Sequence, residues 1–174
     1  MSFLMAITND ILKQEVVFIN NYEKLQTQAC QDGIDIIENY PFESDRILGL
    51  YSDYTIALSR NLKNTTEKSC VLAEEIGHHI TSSGDIIDQT DISNRKQEFH
   101  ARAWAYLNLI DLKDFIRAYK AGCRNRYELA EYLEVTEEFI TDAIQFFSGK
   151  YGTYTNIGNY VIFFEPLGVL ELHK

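Results

Sequence analysis

Residues 70–81 read "CVLAEEIGHHIT", which packs two carboxylates and two imidazoles into positions 74–79. On an α-helix, side chains four residues apart share a face, whereas neighbours point about 100° apart. Two such pairs compete here, Glu74 with His78 and Glu75 with His79. The first keeps the register of a His-Glu-x-x-His helix. There, two imidazoles on one face hold zinc and the glutamate between them works on the bound water. In that register Glu74 replaces the first histidine, Glu75 takes the place of the general base and His78 is the second ligand. His79 belongs to the rotated pair and reads as a neighbour of the site or as the polar end of the helix.

A carboxylate oxygen is an accepted zinc ligand, so one exchanged imidazole need not abolish a site. It lowers the net charge of the ligand set, makes the ion a weaker Lewis acid and moves the preference toward harder ions such as Mn2+. A catalytic zinc site needs a third protein ligand and an open position. The next helical stretch, "RKQEFHARAWAY" (95–106), offers Glu98 and, two residues on, His100. These point to nearly opposite sides of a helix, so only one can face the ion. Gly77, between the two helical turns, permits close approach by another element.

The surrounding pattern supplies elements to hold these residues. "TTEKSCVLAEEIGHHI" predicts a helix from about Thr66 to Ile80, with Thr65 and Thr66 offering the N-cap hydroxyl and Glu67 in the first turn. A polar loop, "TSSGDIIDQTDISN", leads to a helix over 95–110 that turns Phe99, Ala103, Trp104, Leu107 and Ile110 inward. Upstream, a helix from about Asn9 to Asp32 stops at Gly33, and "IDIIENYPF" alternates as a strand ending at Pro41. "GLYSDYTIALSR" (49–60) reads as a hairpin turning at Ser52 and Asp53. Downstream, Tyr127 to Leu133, a turn at Glu134 to Thr136 and a helix from Glu137 form a helix-turn-helix pattern. Glu137, Glu138 and Asp142 on its second helix would repel phosphate. The tail "YTNIGNYVIFFEPLGVLEL" reads as a β-hairpin turning at Gly158 and Asn159, its apolar run stopped by Pro166.

A net charge of −10 argues against a large nucleic-acid surface; the one basic run, "RAYKAGCRNR" (117–126), fits a solvated helix face. Three scattered cysteines form neither a disulfide framework nor a CxxC knuckle and fit a reducing compartment. The first residues, "MSFLMAITNDILKQEVVF", lack the pattern of a signal peptide, and no window is apolar enough for a membrane span. The expected setting is cytoplasmic.

"VLAEEIGHH" after the "GLYSDYTIAL" hairpin, followed by "RKQEFHARAWAY", "AGCRNRYELAEYLEVTEEFI" and "YVIFFEPLGVLE", resembles the ImmA/IrrE family of metallo-endopeptidases, in particular its small prophage and mobile-element members. The resemblance implies an α+β fold with a thermolysin-like minimal metallopeptidase core. That core is mainly helical with a small N-terminal antiparallel sheet (1–112), followed by a helix-turn-helix-like unit and hairpin (113–174). It implies Glu74, His78 and Glu98 as ligands of Zn2+, or of Mn2+, and Glu75 as general base. The family's second helix resembles E-x-E-A-N-x-F-A, so His100 matches its second glutamate and is the alternative to Glu98. The implied function is cleavage of a helix-turn-helix repressor of a prophage or mobile element; the alternative is a binding-only anti-repressor on the same scaffold. Strand Tyr54 to Leu58 is the expected place for substrate to pair as an added strand.

Overall fold

The computed structural model describes residues 20–82 and 91–173. Helix α1 (Asn21–Gln31) begins at a capping box: the Asn20 side chain accepts from the Glu23 N–H while the Glu23 carboxylate accepts from the Asn20 N–H. Asn20 is extended (ψ 170°), so the expected helix from Asn9 does not run through this point; residues 9–19 of that expectation lie outside the described residues. Tyr22, Leu25 and Ala29 form the buried stripe of α1.

Strands β1 (Asp35–Tyr40), β2 (Gly49–Ser52) and β3 (Thr55–Ser59) form one sheet in the order β1-β3-β2. β2 and β3 pair antiparallel, but β1 runs parallel to β3, so the sheet is mixed where an antiparallel one was expected. The strand that buries most residues takes the centre: Ile56, Ala57, Leu58 and Ser59 are all buried, whereas β1 and β2 are largely exposed. Both edges of β3 are therefore occupied, and it cannot accept substrate as an added strand; β2 carries an outer edge instead. The hairpin turns one residue later than expected, at Asp53 and Tyr54 (φ 46° and 58°), because Ser52 pairs with Thr55. Two left-handed residues are what a two-residue hairpin with matching twist requires.

Helix α2 (Thr65–Ser82) is capped by Asn64, whose side chain accepts from the Glu67 N–H at 2.8 Å, so neither Thr65 nor Thr66 serves as the cap. α2 and α3 (Asp91–Leu109) extend past both expected ends of the polar loop; residues 83–90 lie outside the described ones. α3 turns Ala101, Ala105 and Tyr106 toward the core, and Ile110 just past its end is buried as well, while Phe99 and Leu107 are exposed. The cause is the closeness of the two helices: a Cβ on Gly77 would stand 2.3 Å from the Ala101 carbonyl oxygen. Only small side chains fit such an approach, so the large ones of α3 face elsewhere.

α4 (Leu112–Ala121) opens on an Asp111–Asp114 capping box and ends at Gly122 (φ 101°). α5 (Arg126–Leu133) and α6 (Glu137–Tyr151) are joined across Glu134 (φ 54°), with Thr136 capping α6. The C-terminal strands β4 (Tyr154–Ile157), β5 (Tyr160–Phe164) and β6 (Leu167–Glu171) form an antiparallel meander. The turn at Gly158 and Asn159 and the stop of the apolar run before Pro166 are as expected, but a second turn at Glu165 and Pro166 adds β6 to the expected hairpin. Buried side chains from α1, β3, α2, α3, α4, α6 and β5 join one hydrophobic cluster, including Leu25, Ile56, Leu72, Ile140 and Phe164. Among the described residues no helix is long and apolar enough to cross a membrane.

Candidate metal centre

Helices α2 and α3 lie along each other, and the Gly77–Ala101 contact fixes how near their facing side chains come. Glu74 and His78 project from one face of α2, a turn apart, and Glu98 projects from α3 opposite them. One ligand atom from each lies within 4.8 Å of the others. His78 Nε2 and Glu98 Oε2 are 3.3 Å apart. That equals the edge of a tetrahedron with metal–ligand bonds of about 2.0–2.1 Å, which works out at roughly 3.3–3.4 Å. Two carboxylates and one imidazole at this spacing suit a divalent ion of the zinc or manganese type.

Burial acts on the two α2 ligands in opposite senses. Burial lowers the pKa of His78, against the pull of the Glu98 carboxylate, which favours the neutral, coordinating form of the imidazole. Burial also raises Glu74, and Arg102 opposes that rise. Arg102 donates from Nε to Glu74 Oε1 at 2.9 Å, and its Nη2 stands in an ion pair with Glu98 Oε1 at 2.8 Å, so one guanidinium bridges both carboxylates.

Glu75, one residue round the helix, turns to the sheet. Its Oε2 accepts the Tyr51 backbone N–H at 2.8 Å. Burial, then the neighbouring Glu74 charge, pushes this carboxyl up to about 7, and the Tyr51 hydrogen bond holds it back. Gly49 makes room for it, since a Cβ there would stand 2.7 Å from Glu75 Oε1 and 2.5 Å from Val71 Cγ1. A half-buried carboxylate with a pKa near neutrality, beside a ligand cluster, has the properties of a general base.

His79 is drawn to the hairpin: its Nδ1 lies 2.8 Å from the Tyr51 hydroxyl, and the rings of Tyr51 and Tyr54 meet it edge-on. His100 is exposed on the far side of α3, against the Phe99 ring, and stands outside the cluster. Arg102, Tyr51 and Gly49 were not singled out from the sequence. The spacing of Arg102, one turn after Glu98, is the signal that could have found it.

A family model described as the IrrE N-terminal-like domain (Peptidase_M78) matches residues 31–144, which is more than half of the chain and includes α2 and α3. No curated protein and no solved structure matches the chain. The chain belongs to the IrrE N-terminal-like domain family, a family of metallopeptidases.

Proposed function

We propose that the chain is a site-specific zinc-dependent endopeptidase, with Mn2+ as the harder alternative, that inactivates a helix-turn-helix repressor of a prophage or mobile element. The observation that carries this reading is the meeting of Glu74, His78 and Glu98 beside a Glu75 whose pKa lies near neutrality. Glu74, His78 and Glu98 would hold the ion, which when bound supplies Lewis acidity to water and to a scissile carbonyl. Glu75 takes a proton from the attacking water at a carboxylate oxygen and returns it to the leaving amine nitrogen. Tyr51 holds that carboxylate in place through its backbone N–H and leaves the other oxygen for the proton. An extended substrate lies along the outer edge of β2, next to Glu75, as an added strand.

A cytoplasmic setting suits the three free cysteines and the repressor as partner. The test is co-expression of the repressor with wild type or with Glu75→Gln, followed by immunoblotting. Wild type yields a shortened repressor, and Glu75→Gln leaves it intact. Release of an uncut repressor by both proteins would contradict proteolysis and favour a protein that acts by binding.

A further inference from the structure

A His-Glu-x-x-His helix carries a neutral imidazole where this chain carries Glu74, so the exchange makes the ligand set more negative by one charge. Arg102 lies directly against the exchanged position. Its Nε donates to Glu74 Oε1 at 2.9 Å, and its Nη2 forms an ion pair with Glu98 Oε1 at 2.8 Å. Both contacts use the Oε1 atoms, and Glu98 Oε2 is left turned toward His78 Nε2 at 3.3 Å. Among the described residues no other lysine or arginine lies within ion-pair distance of Glu74 or Glu98.

We propose that Arg102 is the positioning residue that compensates for Glu74. With its guanidinium counted, two carboxylates and one imidazole carry the same net charge as the usual two imidazoles and one carboxylate. The fork geometry of the guanidinium adds a second effect. It grips one oxygen of each carboxylate and so fixes where the remaining oxygens point. An exposed single ion pair contributes little. Arg102 differs because it bridges carboxylates from two helices, and its target Glu74 is largely withdrawn from solvent (side chain 30% exposed). This inference rests on the reading of Glu74, His78 and Glu98 as metal ligands.

The test is a double-mutant cycle on zinc affinity, measured by competition with a chromophoric chelator. It uses the full chain as wild type, Arg102→Gln, Glu74→His and the double variant. In the Glu74→His background the guanidinium is a surplus cation beside the ion, so removing it favours zinc. In the wild-type background that gain is opposed, because the contacts that hold Glu74 Oε1 and Glu98 Oε1 in place are lost and the two carboxylates swing apart, so zinc affinity falls. The effect of Arg102→Gln on zinc affinity therefore differs by at least tenfold between the two backgrounds. Arg102→Lys, which keeps the charge but not the fork, shows a coupling between that of wild type and that of Arg102→Gln. A cycle that is additive within threefold, or Arg102→Lys behaving as Arg102→Gln, overturns the compensation. A wild type that binds no zinc overturns the ligand reading as well, whereas zinc binding with an additive cycle overturns only the role of Arg102.

A second arm needs no metal and covers variants that fold poorly when loaded. In chelator-treated protein Arg102→Gln lowers the melting temperature, and adding Glu74→Gln recovers more than half of that loss. Equal losses in the presence and absence of Glu74→Gln contradict the pairing.

Discussion

Gly77→Ala isolates the contact on which the site depends. The added methyl would stand 2.3 Å from the Ala101 carbonyl oxygen and 2.9 Å from the Ala101 carbonyl carbon. Ordinary van der Waals contact starts near 3.4 Å, and the obstacle is backbone, so no side-chain rotation relieves it. The helices must part by about 1 Å, since close-packed interiors have little slack. Overpacking of this kind costs about 1–3 kcal/mol, which lowers the melting temperature of a chain this size by roughly 2–12 °C. The same displacement lengthens the 3.3 Å separation of His78 and Glu98 past what one tetrahedral ion can span. Zinc affinity should then fall by at least tenfold, the scale of loss when metal ligands are misplaced. Thermal denaturation of metal-free protein and zinc titration against a chelator read the two effects separately. Gly149→Ala is the control: in α6 nothing lies within 4 Å of its added Cβ, so it should stabilise by about 0.5–1 kcal/mol. If Gly77→Ala melts with wild type and binds zinc equally well, the close packing of α2 on α3 does not set the site.

Two further perturbations follow from the buried titratable groups. Glu75 is raised from 4.5 to about 7 in the folded, metal-free protein. The unfolded chain therefore ionises first as pH rises through this window, and wild type loses stability there, on the order of 2–3 kcal/mol. Glu75→Gln lacks that loss, so chelator-treated variant and wild type should melt alike near pH 4.5 and diverge toward neutrality, with the variant more stable. A difference that does not change with pH contradicts the burial of this carboxyl. Cys70 is buried, accepts the Thr136 N–H at 3.4 Å and is pushed up to about 11 by burial, whereas Cys30 is exposed. Iodoacetamide at mildly alkaline pH should alkylate Cys30 in folded protein and spare Cys70, as read by peptide mass spectrometry. Equal labelling of the two would show that Cys70 is not packed as described.

The elements legible in the sequence are those whose signals are local. The turn over Glu134 to Thr136 and the two helices flanking it are set by apolar spacing and a hydroxyl cap, and the structure places them as read. Apolar spacing alone carries the helix of α1 back through Asn20 and Glu23, whereas the Asn-x-x-Glu spacing is itself the capping signal that starts it at Asn21. The order of the N-terminal sheet was not legible, since strand partners are chosen by which strand buries the most, a tertiary property. Size misled the reading of α3. Phe99 and Leu107 look like core residues, yet the inward face carries Ala101 and Ala105 because Gly77 brings a neighbouring backbone there. At the site, the spacing of Glu74, Glu75 and His78 on one helix was visible from periodicity. The sequence left Glu98 and His100 open; the structure brings Glu98 to the cluster and leaves His100 exposed. Arg102 and Tyr51 belong to contacts across elements, which spacing along the chain does not reveal.

The central claim is that Glu74, His78 and Glu98 hold one divalent ion. Elemental analysis of freshly purified wild type and His78→Ala, run beside far-ultraviolet circular dichroism to confirm the fold, tests it most directly. The account predicts about one zinc or manganese ion per chain in wild type and less than about a tenth of that in His78→Ala, with unchanged helical signal. Metal at background in wild type, or equal metal in both proteins, would contradict it.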